Sequence, residues 1–130
     1  MEFISAPKFT ATITIGLRRR YTIEPINVTS VYDELNRLQD ELIKEKQIYL
    51  SANCYESMIV LSGHREPHLN IRFINYPRFP IKEGDFNIEL KNLACQLMKS
   101  FDQNRLIIEF DSEIIMIQVN EEVDQGIAMI

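Results

Sequence analysis

Arginines and aromatic residues occur together at two places in the sequence, and this combination suits a nucleotide. Residues 18–21 read Arg-Arg-Arg-Tyr, and residues 75–80 read Asn-Tyr-Pro-Arg-Phe-Pro. Guanidinium groups hold phosphate oxygens in fork geometry, and an aromatic face offers a purine ring a surface for stacking. The prolines on either side of Arg78 and Phe79 restrict the backbone, so less conformational entropy is lost when a ligand binds there.

Arg105 begins a predicted strand and could join the same pocket. The residues that we therefore select as candidate ligand-binding residues are Arg18, Arg20, Asn75, Arg78, Phe79 and Arg105. Two structural alternatives stay open. The arginine run could be a solvated strand edge that discourages pairing with other chains. Phe79 could instead fill a space in the core beneath a loop.

Groups that could carry catalysis or bind a metal are scarce. The sequence lacks the GxSxG, P-loop, GxGxxG and HExxH motifs, and its only histidines are His64 and His68, with Glu66 between them. These three side chains make zinc conceivable, although Arg65 lies among them and a polar turn is the simpler interpretation. We expect no catalytic residues, no metal and no cofactor, so the chain is predicted not to be an enzyme.

Charge excludes some partners. Fourteen Lys and Arg against nineteen Asp and Glu give a formal net charge of -5, and no basic residue follows Arg105. Wrapping duplex DNA requires clustered positive charge, so we expect no duplex DNA partner. No apolar run is long enough for a membrane span and no signal peptide is evident, which predicts a cytoplasmic protein without a membrane partner. The two cysteines, Cys54 and Cys95, are expected to be reduced.

Hydrophobic spacing predicts the elements that position these residues. Apolar residues alternate with threonine over residues 9–17, which predicts a strand, and Val31, Leu35, Leu38 and Leu42 predict a helix over residues 27–47, capped by Thr29 or Ser30. Short strands are expected at residues 48–54, 57–62 and 69–76. A second helix follows with Asp85 as its N-cap, and residues 105–110 and 113–119 are expected to form a hairpin.

The predicted order is β-α-β-β-β-α-β-β, which is typical of an α+β fold with two helices packed on one face of a mainly antiparallel sheet. We expect one domain over residues 1–130, with a core at residues 8–119. Residues 120–130 form a tail that is acidic and then apolar, and we expect it either to fray or to dock on another subunit.

Several short motifs together resemble a family of small bacteriophage proteins. They are Thr-Ile-Gly-Leu at 14–17, Tyr-Thr at 21–22, Arg-Glu-Pro at 65–67, Ile-Asn-Tyr-Pro-Arg-Phe-Pro at 74–80, Asn-Arg at 104–105 and Asp-Ser-Glu at 111–113. On these motifs the chain resembles the first type of Thoeris anti-defence protein over residues 8–118. It departs from that family at residues 53–62, which lack the family's Gly-Leu-Cys and Thr-Pro-Thr features, and at residues 68–73, which are more polar.

The resemblance implies a phage sponge for a bacterial immune signal. Members of this family bind cyclic ADP-ribose isomers or related cyclic nucleotides without cleaving them, and some assemble as dimers or hexamers. Carried over to this sequence, Phe79 would stack on adenine and Arg105 would pair with phosphate, with Asn75, Arg78 and one of the arginines at 18–20 as further contacts. A homo-oligomer is therefore expected.

Two other functions remain as alternatives. The acidic C-terminal end suits an interaction or inhibitor protein that covers a basic surface on a host enzyme. A small hydrolase or phosphodiesterase that uses His64 and His68 is the third hypothesis.

Overall fold

The computed structural model describes residues 1–122 and contains five strands and two helices within them. In chain order these are β1 (Thr10–Gly16), α1 (Val28–Lys46), β2 (Ala52–Leu61), β3 (His64–Ile74), α2 (Glu83–Ser100), β4 (Arg105–Phe110) and β5 (Ile114–Gln118). The strands form one antiparallel sheet in the order β2-β3-β1-β4-β5. The first strand of the chain is therefore the central strand of the sheet.

The alternation of residues in β1 separates a buried face of the sheet from an open one. Ala11, Ile13 and Ile15 are almost wholly buried on one face, and they pair with Phe73, Ile71 and Leu69 of β3. Successive strand residues point to opposite faces, so Thr10, Thr12, Thr14 and Gly16 share the other face. Both helices cover the first face, where α2 contacts β1, β4 and α1.

The core between the helices and the sheet is made by the stripes that the sequence predicts. Val31, Leu35 and Leu38 of α1 are buried, and α2 contributes a longer set: Phe86, Leu90, Leu93, Ala94, Leu97 and Met98. The α+β class, with two helices on one face of an antiparallel sheet, is confirmed. Neither helix among the residues described here has the length and hydrophobicity needed to cross a bilayer.

The region between the helices differs in detail from the prediction. Residues 48–54 and 57–62, expected to form two short strands, contribute to the single strand β2, and the later strand begins earlier, at His64. The gap between the two predicted strands, Tyr55-Glu56, contains no turn-forming residue. β2 accordingly pairs with β3 without a break, from Ala52 opposite Phe73 to Leu61 opposite His64. Five strands are therefore present where the pattern suggested six.

The starts of both helices also differ from the expected caps. Asn27 caps α1, because its side-chain oxygen accepts a hydrogen bond from the Thr29 N–H at 2.8 Å. The backbone N-cap of α2 is Lys82, and Asp85 instead lies in the first helical turn with Glu83. Acidic side chains in the first turn are stabilised by the helix dipole, so they favour a helix start without being the cap.

The described residues include only the beginning of the predicted tail. Residues 123–130 lie outside them, so the expectation that the tail frays or docks on another subunit stays a prediction. Residues 120–122 pack against the loop that follows β1, and they take part in the site described next.

Candidate functional site

A cavity of about 380 Å³ opens on the helix-free face of the sheet, at the end where β1 finishes. The side chains that line it include Thr14, Arg18, Arg20, Tyr21, Ile59, Glu66, His68, Gln103, Arg105 and Met116. Pockets for small organic ligands occupy roughly 300 to 1,000 Å³. The cavity is therefore large enough for a nucleoside, and we take it as the candidate site.

Arg18 supplies a cation with no competing partner in the described part of the chain. Its backbone forms an isolated bridge with Pro25, which fixes the loop after β1, while its side chain is exposed at the cavity. Within residues 1–122 no ion pair or hydrogen bond engages its guanidinium group. Arg18 is consequently available to an anionic group of a ligand.

Arg20 and Arg105 are, in contrast, both held by the segment that ends at Glu122. Arg20 Nη2 lies 2.9 Å from a carboxylate oxygen of Glu122. Arg105 donates to the backbone carbonyl of Glu122, and its Nε donates to Gln118 Oε1 at 2.9 Å. These two guanidinium groups form part of the cavity wall, and both are paired with groups of the protein itself.

Tyr21 connects the loop after β1 to the same segment. Its backbone adopts φ 54°, in the left-handed region, and its hydroxyl donates to the Glu122 carbonyl at 3.0 Å. The hydroxyl also accepts hydrogen bonds from Asn104 Nδ2, at 3.1 Å, and from Arg105. Tyr21, Asn104, Arg105 and residues 120–122 thus form one hydrogen-bonded cluster, which we call the Glu122 cluster.

Glu66 contributes a carboxylate to the cavity lining. Its Oε1 lies 2.9 Å from His64 Nε2, and its backbone carbonyl lies 3.1 Å from His68 Nδ1. His68 pairs with Gly16 of β1 and lines the cavity, whereas His64 does not. The run 64–68, for which a polar turn was the simpler interpretation, is the first part of β3, because it pairs along its whole length with β2.

Gln103 occupies the base of the cavity next to Gly16. Its Nε2 donates to the backbone carbonyls of Arg18, at 2.9 Å, and Phe101, at 3.0 Å. Its Oε1 would lie 2.8 Å from a Cβ atom added to Gly16. A Cβ at position 16 would therefore require this amide to shift, which gives the glycine that ends β1 a steric role.

Metal ligands do not gather in the residues that the structure describes. Among residues 1–122, no three His, Cys, Asp or Glu side chains could hold one ion together. Cys54 and Cys95 are both free thiols. Burial raises the pKa of the Cys54 thiol, so this cysteine is less ionised than an ordinary one at neutral pH.

The other predicted contacts lie at the opposite end of the sheet. Phe79 is 36% exposed and stacks on Tyr49 with ring centroids 4.5 Å apart, and the Arg78 guanidinium lies 5.7 Å from the Phe79 centroid. Asn75 is buried, where it donates to the Pro7 carbonyl at 2.8 Å and accepts from the Ile81 N–H at 3.0 Å. Asn75 thus holds the loop, and the aromatic residues form a separate surface.

The structure therefore divides the six predicted residues into two groups. Arg18, Arg20 and Arg105 line the cavity, whereas Asn75, Arg78 and Phe79 follow β3 at the far end of the sheet. The cavity residues that sequence reasoning missed as ligand contacts are Gly16, Tyr21, Glu66, His68 and Gln103. Glu66 and His68 were considered only as zinc ligands or, for His68, as a hydrolase residue, and Tyr21 only as part of a motif. No sequence signal marked Gln103.

Two solved structures share this fold. Both are of a phage SAM lyase, one in complex with S-methyl-5'-thioadenosine and one in the apo state, with 19% and 18% sequence identity respectively. In each case the alignment covers 95% of this chain and 98% of the other, with a TM-score of 0.66. No family model and no curated protein matches the sequence.

These neighbours correct the expectation that the chain is not an enzyme. That expectation depended on the scarcity of catalytic motifs, but the fold is shared with an enzyme, a phage lyase. The similarity extends to the fold, and the resemblance to the Thoeris anti-defence family stays a hypothesis.

Proposed function

We propose that this protein binds S-adenosylmethionine in the cavity at the end of β1 and cleaves it to S-methyl-5'-thioadenosine. The similarity of the fold to a phage SAM lyase over 95% of the chain supports the reaction class. A neighbour that holds S-methyl-5'-thioadenosine supports the ligand class, a nucleoside with a sulfur substituent.

The observation that carries this proposal is the mixture of charges around one cavity. S-adenosylmethionine has a carboxylate, an ammonium group, a sulfonium centre and an adenine ring. The unpaired guanidinium of Arg18 suits the carboxylate, and the carboxylate of Glu66 suits the two cationic groups. Ile59 and Met116 add apolar surface for the nucleoside.

The reaction breaks the bond between sulfur and the γ-carbon of the methionine chain. The bonding electron pair passes to sulfur, which becomes the neutral thioether of S-methyl-5'-thioadenosine. The four-carbon fragment compensates for this loss, as the bond breaks, by one of two routes. Its own carboxylate attacks the γ-carbon to give a lactone, with no proton lost, or a β-proton leaves and an unsaturated amino acid forms.

These routes make different demands on the protein. Lactone formation needs the chain folded so that its carboxylate reaches the γ-carbon, which is a task of positioning and of removing water. Elimination needs a base, and Glu66, 2.9 Å from His64, is the carboxylate that lines the cavity. Because Arg18 lies free at the cavity while Glu66 is already paired with a histidine, we favour the lactone route, with Glu66 stabilising positive charge.

The direct experiment is to incubate the purified full-length chain with S-adenosylmethionine and separate the products by liquid chromatography. We expect S-methyl-5'-thioadenosine to accumulate, and proton NMR of the mixture to identify the four-carbon product as homoserine lactone. Unchanged S-adenosylmethionine after prolonged incubation at high protein concentration would disprove the proposed activity.

A matched pair of arginine variants tests the location. Arg18→Met removes the cavity guanidinium, and we expect KM for S-adenosylmethionine to rise roughly 10- to 100-fold, the value of a hydrogen bond to a charged group. Arg78→Met removes an arginine at the other end of the sheet and should leave KM within about twofold. Equal effects of the two substitutions would place the site elsewhere.

A cyclic ADP-ribose isomer is the second candidate ligand, because the unpaired guanidinium of Arg18 suits one of its phosphates in a cavity that Arg20 and Arg105 also line. It is tested in the same incubation by calorimetric titration of the isomer into the protein. Binding of the isomer, with no turnover of S-adenosylmethionine, would favour this candidate over the first.

The predicted homo-oligomer is tested by measuring the native mass of the protein with and without each ligand.

A further inference from the structure

We infer that Gln103 and His68 form a pair of hydrogen-bond acceptors above Gly16 that selects the exocyclic amine of adenine. This inference rests on the proposed function, since it concerns the nucleoside end of the same cavity. It adds a specificity: the site accepts a 6-aminopurine and rejects a 6-oxopurine such as hypoxanthine.

The orientation of the Gln103 amide is fixed by its own neighbours. Its Nε2 atom has two hydrogens, and they are directed at the backbone carbonyls of Arg18, at 2.9 Å, and Phe101, at 3.0 Å. A flipped amide would place Oε1 against these two carbonyl oxygens, which can only accept hydrogen bonds. Nε2 therefore faces the backbone, and Oε1 is the atom presented to the other side.

That other side is the cavity. Oε1 lies 2.8 Å from the position that a Cβ of Gly16 would take, on the open face of β1. No hydrogen bond from residues 1–122 reaches it, and in that part of the chain every polar side-chain atom that is fully shielded from solvent has a partner. It follows that Oε1 of Gln103 is accessible from the cavity and that its hydrogen-bonding capacity is left for a ligand.

His68 places a second acceptor beside the first. Its Nδ1 lies 3.1 Å from the backbone carbonyl of Glu66, and because a carbonyl only accepts, Nδ1 carries the hydrogen. In the uncharged ring Nε2 then has a free lone pair, and it lies 3.8 Å from the same Cβ position on Gly16. Both acceptors therefore line the same cavity on the open side of Gly16, and because they lie 2.8 Å and 3.8 Å from one position, they are less than about 7 Å apart.

An amino group with two N–H donors satisfies both acceptors. The 6-oxo group of hypoxanthine or guanine would instead place an oxygen against Gln103 Oε1, so position 6 of the purine would donate no hydrogen bond to either acceptor. Leaving polar groups unpaired in this way is what makes hydrogen-bonding sites discriminating. The α-ammonium of S-adenosylmethionine is better matched by the Glu66 carboxylate than by two neutral acceptors.

The test compares two nucleosides that differ only at this position. Calorimetric titration of the full-length chain with S-methyl-5'-thioadenosine and with S-methyl-5'-thioinosine gives the two dissociation constants. Neither compound has an ammonium group, so a difference reports on the purine alone. We expect the adenosine compound to bind roughly 10- to 100-fold more tightly.

Each outcome decides a different claim. Equal affinities would overturn this inference and leave the proposed function standing. If neither nucleoside binds and S-adenosylmethionine is not turned over, the proposed function fails and the inference fails with it.

Gly16→Ala gives a second measurement, because its Cβ must displace the Gln103 amide. In a folded G16A variant the preference for adenosine should fall to less than about threefold, and a preserved preference would also overturn the inference.

Discussion

Phe79 and Arg105 lie at opposite ends of the same sheet. Phe79 follows β3, whose last residue, Ile74, pairs with Thr10 at the start of β1, whereas Arg105 begins β4 beside the end of β1. The seven residues of β1 separate these ends by about 20 Å at the usual rise of a strand. Within one chain, a small nucleotide cannot contact both side chains.

This separation gives a prediction for ligand affinity. Arg105→Met removes the hydrogen bonds that tie Tyr21 and Glu122 to the cavity wall, so we expect affinity for S-methyl-5'-thioadenosine to fall at least about fivefold. Phe79→Ala removes a stacked ring at the far end and should change affinity less than about twofold. Calorimetric titration of both variants provides the comparison. A loss of binding in Phe79→Ala alone would show that the ligand binds at Phe79 and not in the cavity.

The fold could be predicted because hydrophobic periodicity and burial agree in this chain. Val31, Leu35 and Leu38 are buried at helical spacing, and Ala11, Ile13 and Ile15 are buried at strand spacing. What the pattern could not give was the number of strands between the helices. Met58 and Val60 are apolar and exposed, so burial does not set the limits of β2 there, and pairing with β3 does.

The site was predicted only in part, because its residues come together through strand register. Arginines marked one wall of the cavity, but Glu66, His68 and Gln103 reach it from β3 and from the loop before β4. The run at 75–80 lies at the other end of the sheet from the cavity, and chain order alone does not indicate which end of a sheet a loop occupies. Fixing that end requires knowing that β1 and β3 are antiparallel.

Removing the Tyr21 hydroxyl should loosen the C-terminal segment. Tyr21→Phe deletes the donor to the Glu122 carbonyl and the acceptor for Asn104, so we expect a loss of about 1 kcal/mol in the free energy of unfolding. The Asn120 N–H bonds to Asn104 Oδ1 at 3.2 Å and should lose protection. Hydrogen exchange read by mass spectrometry at residues 120–122 measures this.

The control for that experiment is Tyr32→Phe on the exposed surface of α1. It removes the same atom from a tyrosine outside the cluster and should leave exchange at residues 120–122 unchanged. If Tyr21→Phe also left it unchanged, the Glu122 cluster would not be what holds this segment.

Lys46 and Glu89 join the end of α1 to the middle of α2. Their charged atoms lie 2.6 Å apart, and Glu89 is only 8% exposed, so Lys46→Met leaves a buried carboxylate without its cation. We expect Tm at pH 7 to fall by several degrees. In the double variant K46M/E89M, no charge is left buried, and Tm should recover at least half of that loss.

The pH dependence of this pair has a definite sign. The hydrogen bond to Glu89 raises the pKa of Lys46 above its ordinary value of 10.5. The pair therefore stabilises the fold fully below that ordinary value, and its contribution disappears as pH rises through the pKa of the folded state. Thermal unfolding should show the wild-type Tm approaching that of Lys46→Met only as pH rises above 10.5, because a neutral Lys46 leaves the buried Glu89 carboxylate without its cation. Parallel curves over this range would contradict the assignment.

Glu34 should make the fold sensitive to acid at the other contact between the helices. Hydrogen bonds from Arg37, with Nη2 3.2 Å from Oε2, and then from Ser100 lower the pKa of Glu34 below its ordinary value of 4.5. A lowered pKa contributes stability above the ordinary value, and that contribution is lost as pH falls through the folded-state pKa. Glu34→Gln should therefore lower Tm by a few degrees at pH 7, with the difference from wild type shrinking steadily below about pH 4.5.

Glu41→Gln is a matched control on the exposed side of α1. It also removes a contact with Arg37 but no link to α2, so it should change Tm by less than about one degree. A difference for Glu34→Gln that stayed constant down to pH 3 would show that the ionised carboxylate is not what stabilises this contact.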